Sequence, residues 1–213
     1  MKKQGYLLTL EGIEGAGKST AVQIISNFLQ QYNIDFIITR EPGGTEIAER
    51  IREIILNNYQ ERMHPDTEIL LYFASRAQHI NNVILPSLEN GKMIICDRFT
   101  DATYAYQGGG RGLSNEKISI LEKLVQNTLK PNFTLLFDVT VNSGFNRILN
   151  NRKFDRIENE KYAFFRRIRN KYLQLANNEP DRFHIINSNN SLTQVTHDII
   201  SIMKFIVKKL YIL

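Results

Sequence analysis

The sequence predicts an α/β fold: a five-stranded parallel sheet with helices on both faces. Three observations predict it. Five short apolar runs alternate with stretches of helical spacing. Those runs are largely continuous rather than alternating, as suits strands buried on both faces. A glycine-rich loop, Gly12-Ile13-Glu14-Gly15-Ala16-Gly17-Lys18-Ser19, sits between the first strand-like run and the first helical one. It fits G-x-x-x-x-G-K-[ST], the phosphate-binding P-loop, in the strand-loop-helix context the pattern requires.

The elements follow in order. Tyr6 to Leu10 reads as the first strand, and Val22, Ile25, Leu29 and Tyr32 mark the helix after the loop. Phe36 to Thr39 is the second strand, and Arg40-Glu41-Pro42-Gly43-Gly44-Thr45 is a turn by composition. Ile47, Ile51 and Ile54 share one face of the next helix. Another starts near Asp66, an N-cap after Pro65, with the stripe Leu70, Phe73, Ala77, Ile80, Ile84 and Leu88, kinked at Pro86. Met93 to Cys96 is the third strand and runs into Asp97-Arg98. Phe99 to Gln107 reads as helix, and Gly108-Gly109-Gly110-Arg111-Gly112 as a mobile turn. Ile118, Leu121 and Val125 mark a helix before the fourth strand, Phe133 to Phe137, which ends at Asp138. A helix from about Asn142 leads into a cation-rich segment, a lid over about 147–157. Tyr162, Phe165, Ile168, Tyr172 and Leu175 stripe the next helix. Phe183 to Ile186 is the fifth strand, and Val195, Ile199, Ile202 and Ile206 lie on a last amphipathic helix.

The chain has 213 residues and reads as one domain over 1–213, without linker, repeat or low-complexity segment. A formal charge of +5 suits anionic ligands, nucleotides included. Its cations are scattered and no nucleic-acid module is present, so a polynucleotide partner is not expected. The one cysteine, Cys96, excludes an internal disulfide and reads as a reduced core thiol. His64, His79, His184 and His197 lack metal-ligand spacing. No apolar run is long enough to span a bilayer and no signal peptide opens the chain, so a cytoplasmic enzyme is expected.

The chemistry converges on strand ends, where open α/β sheets bind ligands. Backbone N–H groups of the loop and the positive end of its helix cradle phosphate. Lys18 adds a point charge, and the Ser19 hydroxyl and Asp97 are suited to Mg²⁺. Arg40, Arg76 and Arg98 bring more positive charge than a held water needs, so a second phosphorylated substrate is expected, as in a kinase. A guanine-nucleotide switch would want Asn-Lys-x-Asp, and Asn170-Lys171-Tyr172-Leu173 lacks the aspartate. A dinucleotide oxidoreductase would want G-x-G-x-x-G.

Along nearly its whole length the chain resembles the thymidylate kinases, bacterial branch. The P-loop, Thr39-Arg-Glu-Pro-Gly-Gly-Thr45, Phe73-Ala-Ser-Arg76, Asp97-Arg98 and Tyr106-Gln-Gly-Gly-Gly-Arg-Gly112 carry the resemblance, with Asp138-Val-Thr140 and Asp155-Arg-Ile-Glu158. It implies a P-loop kinase fold and transfer of the γ-phosphoryl of ATP to dTMP, with Mg²⁺, in a homodimer. It implies that Gly12, Ile13, Glu14, Gly15, Ala16, Gly17, Lys18, Ser19 and Thr20 bind ATP, with Arg147 near adenine and Ser19 and Asp97 around Mg²⁺. For dTMP it implies Glu14 facing the 3′-hydroxyl, Arg40 and Arg98 on the phosphate and Phe73 stacked on thymine. Arg76 and Thr103 lie near the base edge, Tyr106 closes the sugar pocket and Gln107 lies near the nucleotide. Catalytic charge falls to Lys18, Asp97, Arg98 and the lid, where Arg152, Lys153 and Arg156 are the candidates and Arg152 is the one expected to reach the transferred group. The lid is richer in asparagine than the family pattern and lacks its glycine.

Overall fold

The computed structural model describes residues 5–148 and 154–211. Its sheet has five strands: β1 (Tyr6–Glu11), β2 (Phe36–Arg40), β3 (Met93–Asp97), β4 (Phe133–Asp138) and β5 (Phe183–Asn187). The order across the sheet is β2-β3-β1-β4-β5, and every pairing is parallel. The fold class expected from the sequence is the one observed.

Helices cover both faces. They are α1 (Lys18–Gln31), α2 (Glu46–Leu56), α3 (Pro65–His79), α4 (Leu85–Glu89), α5 (Thr100–Thr103), α6 (Asn115–Gln126), α7 (Val141–Ile148), α8 (Tyr162–Asn178) and α9 (Leu192–Tyr211). The larger core joins Leu8, Leu10 and Leu135 of the sheet to Ile25 and Leu29 of α1, Phe165 and Ile168 of α8 and Ile199 and Ile206 of α9. A second cluster, with Leu7, Ile94 and Cys96, lies on the opposite face under Ile80 and Ile84. Sheet residues thus contribute to buried clusters on both sides, which is why the strands read as continuous apolar runs.

Several local expectations change. The cap of α3 is His64, whose Nδ1 accepts from the Asp66 N–H at 3.2 Å, with Pro65 at the first helical position. Proline suits that place because its missing N–H would be unpaired there anyway. Ahead of Pro86 the helix widens into a π-helical stretch, Ile80–Ile84, where the ring's missing N–H is absorbed. Ile47 and Ile54 turn outward, 56% and 45% exposed, while Ala48 and Ile55 are buried. α2 lies against α3, and that contact sets its rotation. On α8 Phe164 is buried beside the expected Phe165 and Tyr172, and Tyr162 is half-exposed.

The helix expected over Phe99 to Gln107 is split into α5 and a π-helical stretch, Tyr104–Gly110. The glycine run expected as a mobile turn is instead a packing contact with α8. A Cβ on Gly110 would stand 2.5 Å from the Phe164 ring, and one on Gly109 would stand 2.8 Å from the Lys171 Cβ. Arg167 on α8 donates to both their carbonyls. Small residues let the two segments touch, and the contact holds Tyr106 and Gln107 in place. Gly110→Ala is therefore expected to destabilise the protein by about 1–3 kcal/mol through overpacking. A lowered midpoint in urea unfolding checks this, and an unchanged midpoint would show that Phe164 yields freely.

Candidate active site

The carboxyl ends of β1, β2 and β3 open onto a cleft of about 510 Å³. Gly15 (φ 71°) and Gly17 (φ 94°) take left-handed backbone that other residues rarely adopt. A Cβ on Gly15 would overlap the Gly144 carbonyl of α7, whereas one on Gly17 would meet nothing within 4 Å. Gly17 thus faces open space, and its neighbours Ala16, Ser19 and Thr20 line the cleft. Lys18 folds back over the loop, its Nζ donating to the carbonyls of Gly12 at 3.1 Å and Ile13 at 3.2 Å. Burial, then the charge of Arg98, lowers its pKa. An anion arriving in the loop would offset both.

Arg98 follows β3 with φ 69°, an uncommon value for a non-glycine residue. Its Nη1 donates to the Gly12 carbonyl at 2.9 Å and its Nη2 to Glu14 at 2.9 Å. Tyr106 donates to the same Glu14 carboxylate, 2.7 Å from Oε1 and 2.8 Å from Oε2, and its ring lies under the Arg98 guanidinium. Burial alone would lower the Arg98 pKa, yet Tyr106 and Glu14 raise it well above its ordinary value. Asp97, which ends β3, keeps a buried Oδ1 without a hydrogen-bond partner, in the same cleft as Ser19. Among the described residues no group of three or more His, Cys, Asp or Glu side chains could hold a metal ion. One carboxylate and one hydroxyl fit Mg²⁺, whose remaining oxygens would come from water and phosphate.

Arg76 lies on the other side of the cleft and is 1% exposed. Its Nε donates to Glu41 at 2.7 Å, and its Nη2 to the Phe99 carbonyl and to Thr103 Oγ1. Gln107 is buried, lines the cleft and donates to Glu68 at 2.8 Å. Two of the expected residues stand outside the cleft lining. Phe73 does not line the cleft: it packs with Ile69 and Ile118 and supports the Arg76 guanidinium at 4.9 Å from its ring centroid. Tyr72 is the ring of α3 in the cleft wall. Arg40 is half-exposed and paired with Glu49 at 2.9 Å, outside the cleft lining, whereas Arg52 of α2 lines it. The two arginines lie near enough for their charges to interact.

At the loop's far side Arg147 donates to the Gly15 carbonyl at 3.2 Å and to the Ser188 carbonyl at 2.7 Å, joining α7 to the end of β5. Arg152 and Lys153 lie outside the described residues. Arg156 is turned from the cleft: it pairs with the buried Glu68 at 2.6 Å and donates to the Ile55 carbonyl.

Tyr72, Arg52 and Glu11 were missed by sequence reasoning. Tyr72 had a signal, since it stands one turn before Arg76 at i, i+4. Glu11 had a weaker one, a charge closing an apolar strand. It is fully buried, accepting from the Phe99 N–H at 2.8 Å and the Tyr172 hydroxyl at 2.7 Å. Tyr172 in turn accepts from Arg98 at 3.4 Å. Burial, and then the charge of Asp101, pushes the Glu11 pKa from 4.5 up to about 8.

The sequence of residues 10–199 matches the thymidylate kinase family. Among similar proteins, a thymidylate kinase of Pseudomonas putida is 48% identical over 205 residues, which are 96% of this chain and 98% of that one. A thymidylate kinase of Ectopseudomonas mendocina is 50% identical over 195 residues, covering 92% and 93%. The crystal structure of thymidylate kinase from Ehrlichia chaffeensis superposes with a TM-score of 0.74 at 30% identity, covering 94% of this chain and 99% of that one.

The raised pKa of Glu11 has a consequence for stability. Between 4.5 and about 8 the folded protein holds a proton there that the unfolded chain releases. Stability from this group is therefore full below pH 4.5 and is lost as pH rises to 8. Glu11→Gln removes that slope. The melting temperature of the variant is expected to rise relative to the unsubstituted protein as buffers are stepped from pH 5 to pH 8, and parallel curves would contradict the assignment.

Proposed function

The chain belongs to the thymidylate kinase family, and we propose that its cleft transfers the γ-phosphoryl group of ATP to dTMP, giving dTDP and ADP. Phosphorylation of dTMP is the family's step in nucleotide biosynthesis. The observation that carries the assignment to this cleft is the meeting of Arg98, Glu14 and Tyr106 beside the P-loop. A carboxylate inside a phosphate loop repels ATP, and a sugar hydroxyl as its partner explains its presence.

ATP binds over Gly12 to Thr20, with its adenine beside Arg147. Ser19 and Asp97 would hold Mg²⁺, which would supply charge neutralisation at the phosphate oxygens. For dTMP, Arg98 and Arg52 of the cleft wall hold the phosphate, and Arg40 joins them on exchanging its Glu49 partner for the ligand. Tyr72 takes the stacking role first expected of Phe73. Arg76 and Thr103 meet the base edge, Gln107 lies near the nucleotide and Tyr106 closes over the sugar. The dTMP phosphate is already an oxyanion near neutral pH, since the second pKa of a phosphomonoester is about 6. The site therefore works by alignment and charge rather than by a strong base. Lys18 and the lid supply transition-state charge, with Arg152 as the residue that reaches the transferred group and Arg156 anchoring the lid through Glu68.

The enzyme is one domain, cytoplasmic and a homodimer. Half-exposed or exposed Ile47 and Ile54 of α2, Leu70 of α3 and Ile120 and Leu124 of α6 support dimerisation, because these helices adjoin one another. No described helix is long and apolar enough to cross a membrane.

A coupled ADP-release assay with ATP and Mg²⁺, run with dTMP, dUMP, UMP, CMP, dGMP and no acceptor, tests the reaction. Release is expected to depend on dTMP, with dUMP weaker, because a notch for the 5-methyl group is worth only ~1–3 kcal/mol. Equal release without acceptor would overturn the dTMP site and leave an ATPase. Arg152→Ala is expected to lower kcat tenfold or more, on the order of 1.4 kcal/mol. An unchanged kcat would remove Arg152 from the reaction.

A further inference from the structure

His79 has no place in the phosphoryl-transfer machinery, yet it is fully buried and both its ring nitrogens are engaged. Nδ1 lies 2.9 Å from Glu41 Oε1, and Nε2 lies 2.6 Å from Thr39 Oγ1. The other oxygen of Glu41 takes the Nε of Arg76 at 2.7 Å. An unbroken chain therefore runs Thr39–His79–Glu41–Arg76, from the end of β2 through α3 to the cleft. The Glu41 carboxylate accepts at both oxygens, so Nδ1 carries the imidazole hydrogen and Nε2 is left to accept from the Thr39 hydroxyl. Gly44 makes room for the ring: a Cβ there would stand 2.6 Å from His79 Cδ2.

At the other end of the chain, Arg76 has two of its three nitrogens committed. Nε is on Glu41, and Nη2 is on the Phe99 carbonyl and Thr103. Nη1 alone is buried without a partner, on a residue that lines the cleft. A guanidinium is a planar fork, so fixing two nitrogens fixes where the third donates. A buried donor held in place rewards an acceptor on the ligand and rejects a group that is itself a donor.

We propose that His79 is a specificity-determining positioning residue, which locks Glu41 and thereby aims the free Arg76 donor at a carbonyl of the pyrimidine edge. The inference rests on the dTMP reading above and deepens it. Thymine offers an oxygen acceptor at its 4 position, where cytosine offers an amino donor. His79 therefore acts on the choice between the two bases and leaves ATP binding alone. Without its ring, Glu41 keeps Arg76 alone as a side-chain partner among the described residues, and the pair is free to swing as a unit.

The test is the ratio of kcat/KM for dTMP to that for dCMP, measured with KM for ATP and the melting temperature. Arg76→Met sets the reference, and the ratio is expected to collapse. His79→Leu is expected to lower the ratio about tenfold, chiefly through KM for dTMP, with KM for ATP unchanged. His79→Asn, whose amide can still donate to Glu41, is expected to restore most of it. Thr39→Val removes only the far hydroxyl and gives a second reading, a smaller fall, should His79→Leu not fold. A collapse with Arg76→Met beside an unmoved ratio in the folded His79 and Thr39 variants would overturn the positioning role alone. An unmoved ratio with Arg76→Met would overturn the base-edge reading itself.

Discussion

Everything in the cleft depends on the register of the central strands. Leu10 of β1 stands opposite Asp97 of β3, and Asp97 stands opposite Arg40 of β2. Parallel pairing in that register brings Glu11, Asp97 and Arg40 to one edge of the sheet, where β1 also releases the chain into the P-loop. A slip of one residue would move each of these side chains to the other face. The apolar cores on both faces hold the register, so the positions of the charged groups are decided by residues that carry no charge.

That edge is crowded with buried charge, and buried charge needs partners. Three carboxylates meet the need in different ways. Glu41 is held by Arg76 and His79. Glu68 is held by Arg111, Arg156 and Gln107. Glu11 has hydrogen bonds, but burial and then the Asp101 carboxylate raise its pKa. Glu14 lines the cleft with Arg98 and Tyr106 on it. Among the described residues, Lys18, Arg98 and Arg147 around the loop are each already tied to a carbonyl or carboxylate. These side chains are thus held in place before any ligand arrives.

Much of the fold was legible in the chain itself. All five strands lay where apolar runs predicted them: β1, β3 and β4 are buried on both faces and leave that mark in full, while the edge strands β2 and β5 keep exposed positions such as Ile38 and Ile185. The P-loop, Asp97-Arg98 and Tyr106 were legible for a related reason: they follow strand ends or fixed motifs, and the chain direction alone brings them to the cleft. Less was legible in the helices. The glycine run at 108–110 carries no trace of the helix it touches, because its partner, Phe164, lies more than fifty residues away. Arg156 follows Asp155 in a segment rich in cations, and nothing local to it announces a buried Glu68 from α3.

By itself the sequence determined the strand order along the chain, the phosphate loop and the side chains that strands deliver to their carboxyl ends. Tertiary structure decided which way each helix is rolled. Periodicity sets the angle between neighbours at roughly 100° per residue, but it leaves the helix free to rotate about its own axis. Packing of Ile69 and Phe73 against Ile118 fixes that rotation for α3, turning Tyr72 rather than Phe73 to the cleft. Burial of Ala48 and Ile55 does the same for α2 and brings Arg52 into the wall while Arg40 stays outside it. Those choices rest on contacts between residues far apart in the chain, so no stretch of sequence read alone contains them.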